Sequence, residues 1–104
     1  MKDMERLEKP LLAEIDSSVT HQGIGGKTIV IEREGTISWV LDRPLNEITI
    51  GLSNFIHRYD INSVPEDTRI FYGHVGTLGY FVAEDELIDI REAEWPDVYD
   101  YLND

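Results

Sequence analysis

Gly35-Thr36-Ile37-Ser38-Trp39-Val40-Leu41-Asp42-Arg43-Pro44 is an apolar run that stops abruptly at an acid, a base and a proline. Proline fixes its own backbone and offers no ladder donor, so a strand is expected to end there. Just upstream, Lys27 to Arg33 alternates around Ile29 and Ile31 and is rich in β-branched residues, which reads as a strand. Glu34-Gly35 between the two runs reads as a two-residue turn, because glycine accepts positive φ. Thr36 to Leu41 is then the return strand, with Ile37, Trp39 and Leu41 on one face. The expectation is a central hairpin that delivers Asp42 and Arg43 to a sheet rim.

Outward from this hairpin the pattern alternates between helix and strand. Residues 1–9 are polar and read as helical or frayed, Pro10 interrupts, and Leu11 to Ile15 reads as a short strand. Asp16 to Gly26 is a loop by its serines and glycines. After Pro44, Asn46 suits a helix N-cap. Ile48, Leu52, Phe55, Ile56 and Tyr59 then share a helical face. Thr68 to Tyr72 and Leu78 to Ala83 read as two strands joined through Gly73-His74-Val75-Gly76-Thr77. Glu86 to Ile90 reads as a short edge strand. Pro96 suits the first turn of a last helix on which Trp95, Val98, Tyr99 and Leu102 share a face. The expected fold is a single α+β domain over residues 1–104: a small antiparallel or mixed sheet with a central hairpin, packed by two helices.

Composition narrows the function classes. The 104 residues suffice for one domain and one core. The absence of cysteine excludes a disulfide framework, a thiolate metal site and a cysteine nucleophile, and fits the cytoplasm. No apolar run approaches a membrane span, and the charged start, Met1 to Lys9, does not read as a secretory signal. The net charge is −12. Residues 1–83 hold 12 acids against 8 bases, whereas 84–104 hold 9 acids against Arg91 alone. Such a surface disfavours nucleic acid and anionic membrane, both of which need cationic contacts, and admits a basic protein partner.

Asp42, Arg43, Tyr72 and His74 form the candidate ligand-binding group. Arg43 at a strand end can clamp a carboxylate or phosphate, and His74 beside Gly73 can donate to the same ligand. The bland alternative is a strand-end ion pair and an exposed turn histidine. Trp95, Tyr99 and Tyr101 form a candidate acidic-aromatic surface for a partner. His21, His57 and His74 lack ligand spacing, so no metal and no cofactor is expected. Gly23 to Thr28 precedes a strand where a phosphate loop would precede a helix. No serine lies in a nucleophile elbow, so no catalytic residue is assigned.

The order of motifs resembles the AlgH/YqgE family of bacterial proteins over about residues 11–82. Gly35, Val40, Arg43 and Pro44 match its "G-x-x-G-x-V-x-N-R-P" segment, with Ser38 for the second glycine and Asp42 for the asparagine. Tyr72-Gly73-His74-Val75, Gly79-Tyr80-Phe81-Val82 and Leu11-Leu12-Ala13 stand where the family has "G-G-P-V", "G-F-V" and "L-I-A". Family members are longer, and residues 84–104 replace their second half. The resemblance implies a trimmed, cytoplasmic α+β relative, of the kind carried by phage or mobile elements. It adds little about function: the family lacks a settled biochemical activity, a regulatory role is proposed for some members, and no agreed catalytic residues carry over. The expected function is a small acidic binding or regulatory protein acting through protein contacts. A small-anion or enzymatic site around Arg43 and His74 is the alternative, and an acidic decoy imitating nucleic acid the second.

Overall fold

The computed structural model describes residues 5–38, 49–60 and 63–102. Five strands form one antiparallel sheet: β1 (Glu5–Ile15), β2 (Thr28–Thr36), β3 (Arg69–Val75), β4 (Leu78–Ala83) and β5 (Leu87–Glu92). Two α-helices, α1 (Thr49–Arg58) and α2 (Trp95–Leu102), and two 3-10 turns, His21–Gly23 and Glu84–Glu86, are described with them. The spatial order is β4-β3-β2-β1-β5. The small α+β class expected from the sequence is the class observed.

That order cannot belong to a flat sheet. β4 and β5 are opposite edges, yet only the 3-10 turn Glu84–Glu86 joins them. Four strand spacings of about 4.8 Å put flat edges about 19 Å apart. Four residue steps reach only about 14 Å when fully extended, and less in a 3-10 turn. Register makes the mismatch larger. β4 ends opposite Ile70 and Gly35, at the far end of β2, whereas β5 starts opposite Ile15, beside the near end. The sheet must therefore coil until diagonal corners meet, as in a small, partly open barrel.

Irregularities in the ladder supply the bend. Four residues of β1, from Leu7 to Pro10, oppose the single residue Glu32 of β2. Glu32 is also the extra residue against β3. Bulges of this kind bend a strand and increase its twist. Opposite the bend sits Gly73, where a Cβ would strike the Val30 carbonyl and lie 2.9 Å from the Ile31 Cα. The requirement there is close backbone approach, not a turn.

Coiling buries both faces of the sheet. The inner face packs Ala13, Ile15, Ile24, Ile29, Ile31, Phe71, Tyr80, Val82 and Leu87 together. On the outer face, Phe55 of α1 packs with Ile37, Ile70, Phe81 and Ala83, and Val98 of α2 packs with Leu12 and Val30. Ile29-Val30-Ile31 and Tyr80 to Ala83 are accordingly continuous apolar runs, not alternating ones.

The central hairpin is not formed. β2 runs straight through Glu34 and Gly35 to Thr36, and Ile37 and Ser38 are helical. Glu34, Gly35 and Thr36 pair with Phe71, Ile70 and Arg69 of β3, and Gly35 has no positive φ. A distant strand thus takes the ladder that a local return strand would have used. Trp39, Val40 and Leu41 lie outside the described residues. Residues 5–9 are strand as well, with Glu5 and Arg6 paired to Glu34 and Arg33 at the end of β2. Gly73-His74-Val75 is strand, not a bend, which leaves Gly76-Thr77 as the whole turn between β3 and β4. Gly76 alone carries the positive φ, 62°, as a two-residue hairpin with glycine in first place requires. α1, β4, the β5 edge and α2 fall close to their expected positions.

Gly73→Ala is expected to destabilise the domain by about 3 kcal/mol, because backbone and not a flexible side chain must give way. Urea unfolding measures it, with Gly23→Ala, at an uncrowded site of φ 69°, as the comparison for backbone strain without a steric clash.

Candidate functional site

The turn that closes the barrel is also where charge is buried. Glu86, its last residue, is followed by the buried Leu87 and is itself only 7% exposed. Its Oε1 accepts the Ala83 N–H at 2.9 Å, so the side chain folds back over its own turn. Arg58, at the end of α1, meets it with both prongs. Nε donates to Oε2 at 2.8 Å and Nη2 to Oε1 at 3.1 Å. Nη2 also donates to the Phe81 carbonyl of β4 at 2.7 Å. Both side chains are 8% exposed. The Glu86 carbonyl accepts the Asp16 N–H at 2.8 Å, tying the same turn to the end of β1. One residue thus links α1, β4 and the loop after β1.

An outer tie crosses the same turn. Arg69 Nη1 donates to Glu84 at 3.1 Å while Nη2 donates to Glu34 at 2.6 Å, and its guanidinium lies 4.9 Å from the Phe71 ring centre. The bond to Glu34, then attraction to both carboxylates, holds the Arg69 pKa above its ordinary value. Because Arg69 is half exposed, this network contributes little to stability.

Beside the buried pair lies an open cleft of about 450 Å³, walled by Asp16, residues 18–21, Arg58, Tyr59, Asp85 and Glu86. Asp16 Oδ1 accepts the Ser18 N–H at 2.9 Å, which holds the Asp16 carboxyl below its ordinary pKa. Tyr59 donates its hydroxyl to Asp85 Oδ1 at 2.9 Å. Burial, then that bond, pushes the Tyr59 pKa up. His21 fastens the loop to α1: its Nε2 lies 3.2 Å from Asn54 Oδ1, and its ring is 5.0 Å from that of His57. Arg58 and Glu86 neutralise each other. Asp16 and Asp85 remain, so the cleft presents negative charge beside hydroxyls and an imidazole. That arrangement suits an ammonium or guanidinium group.

Of the candidate residues named from the sequence, Tyr72, His74, Trp95, Tyr99 and Tyr101 lie among the described residues. Tyr72 and His74 do come together on β3, with rings 5.6 Å apart in a T-shaped contact. His74 Nδ1 lies 3.1 Å from Glu32 Oε1, a carboxylate that opposes binding of an anion there. Tyr72 packs on Phe81 at 4.9 Å, with its hydroxyl against Gly79, and burial raises its pKa. Neither residue lines the cleft at Arg58. Asp42 and Arg43 lie outside the described residues. Trp95 works inside the molecule: Nε1 donates to the Glu8 carbonyl at 3.0 Å, Arg6 sits 4.9 Å from its ring, and it packs with Val98. Tyr99 and Tyr101 are exposed, by 54% and 40%.

Sequence reading missed Arg58, Tyr59, Asp16 and Glu86 as a group. In the run Glu84-Asp85-Glu86, composition alone does not distinguish a buried acid from its solvated neighbours. The one available signal was an acid three residues after Ala83, the spacing at which a side chain can return to a turn's first N–H. No family model, curated protein or solved structure matches the chain.

Glu86→Ala is expected to cost about 3–5 kcal/mol in urea unfolding, because it strands a buried guanidinium. The double change Arg58→Met with Glu86→Leu is expected to cost much less than either single change, since no buried charge is left unpaired.

Tyr59 sets an alkaline limit. Its folded pKa lies above the unfolded value of about 10, so its contribution is complete below that pH and is lost as the pH rises through the folded value. Urea midpoints measured from pH 8 upward are expected to hold until about pH 10 and then fall. Tyr59→Phe is expected to flatten that fall.

Proposed function

We propose that this domain is a binding module that recognises a cationic group on a protein partner. The observation that carries the reading is the open cleft at the barrel closure, walled by Asp16, Asp85 and Glu86, where the one arginine is already committed to Glu86. The chain's net charge of −12, concentrated after residue 83, adds long-range attraction for a basic partner and repels phosphate. Electrostatic steering of this kind raises association rates and selects partners by sign. The bidentate pair behind the cleft fixes the relative placement of α1 and the closing turn, so the carboxylates are held in place before a ligand arrives. In this role the protein acts through contacts and not through bond chemistry, as a small regulatory domain would.

The test is an NMR titration with pentapeptides carrying one central lysine, arginine or glutamate. Lysine or arginine peptides are expected to shift residues 16–21, Tyr59 and 84–86, and Asp85→Asn to weaken binding by about threefold to tenfold. Added salt weakens it further. Preference for the glutamate peptide, or no shift in the cleft, would contradict the proposal.

A further inference from the structure

β5 is one of the two edges of the sheet, β4 being the other. It pairs with β1 on one side, and among the described residues no strand lies on the other. Edge strands are usually blunted by charge, brevity or a bulge, because their free backbone groups recruit other strands. β5 has a bulge: Asp89 and Ile90 together oppose Ala13, and Asp89 sits at φ 54°, an αL conformation that aspartate tolerates better than most residues. Arg91 Nη1 donates back to the Asp89 carbonyl at 3.0 Å, covering one acceptor. Yet the strand also displays apolar surface. Ile88 is 46% exposed and Ile90 41%, and every residue of β5 after Leu87 is exposed.

We propose that the outer edge of β5 receives an extended, basic segment of another protein as a sixth strand. Main-chain hydrogen bonds supply the affinity in this mode, and alternate side chains supply the choice of partner. The two isoleucines offer contacts for aliphatic residues of the incoming strand. Charge decides the occupant. Within β5, Asp89 and Glu92 stand against the single base Arg91, in a chain of net charge −12. A second copy of this chain is a poor fit: antiparallel self-pairing centred on Asp89 sets that carboxylate against its own counterpart, between two molecules of charge −12. A strand carrying lysine or arginine turns the same acids into attractions. The bulge then limits pairing to partners that can follow the bend. This surface is separate from the cleft at Arg58 and stands or falls without it.

The test is amide hydrogen exchange with an alternating Lys–Val octapeptide, and with an alternating Glu–Val octapeptide as the control. The Lys–Val peptide is expected to slow exchange at residues 88–92. Ile88→Lys combined with Ile90→Lys is expected to weaken its binding about tenfold or more, since contact area is lost and like charge is added. Both sites are exposed, and an unchanged melting temperature verifies the fold. Asp85→Asn, which weakens the cleft, should leave most of the β5 protection in place. The proposal is overturned if the Lys–Val peptide gives no protection at 88–92, or if the Glu–Val peptide protects equally. Concentration-dependent protection of β5 without peptide would also overturn it, by making a second copy the occupant.

Discussion

Three residues, Glu84–Glu86, carry the chain between corners that a flat sheet would hold far apart, and the Arg58–Glu86 pair fastens them there. The strand order follows from that constraint, because the last strand can reach β1 only if the sheet coils. Coiling in turn places Phe71 and Val82 against Ala13 and Ile15, residues from opposite halves of the sheet, in one inner core. A buried ion pair need not add net stability over an apolar pair of equal volume, since both charges are desolvated. Its value here is directional. A fork of hydrogen bonds to Glu86 and to the Phe81 carbonyl defines one placement of α1 over β4, which apolar contact alone would leave free to slide.

The acid-rich end of the chain is therefore integral to the barrel. Residues 84–86 close it, β5 extends it, and α2 covers Leu12 and Val30 on its outer face. The same segment sets the outward character of the molecule. Its carboxylates rim the cleft, and its isoleucines and tyrosines supply exposed apolar surface beside them. Structural roles and the proposed recognition roles share this stretch but are divided among different side chains. Glu86 and Val98 face inward, whereas Asp85, Ile88, Ile90 and Tyr99 face out.

Legibility in the sequence tracked the range of the interactions involved. Leu78–Ala83 was readable because its β-rich composition and a glycine turn act locally. α1 was readable from the spacing of Phe55 and Tyr59, both of which meet the core. Glu34-Gly35 misled because its turn propensity is local, whereas pairing with Ile70 and Phe71 spans more than thirty residues and dominates in the folded chain. Glu5 to Pro10 misled because it is polar and contains proline, yet it pairs at the end of β2 and bends where Pro10 needs no donor. The cleft was illegible for a related reason. An acid among acids reads as solvated, and only the arrival of Arg58 from 28 residues away makes Glu86 an interior residue.

Closure of the barrel by Glu86 is most directly read from two backbone amides. Ala83 N–H is bonded to the Glu86 carboxylate and Asp16 N–H to the Glu86 carbonyl, although neither bond belongs to a strand ladder. Native-state hydrogen exchange should find both as protected as amides of the inner strands, opening only when the whole domain unfolds. Exchange of either amide as fast as that of Thr77, in the exposed turn between β3 and β4, would contradict the account.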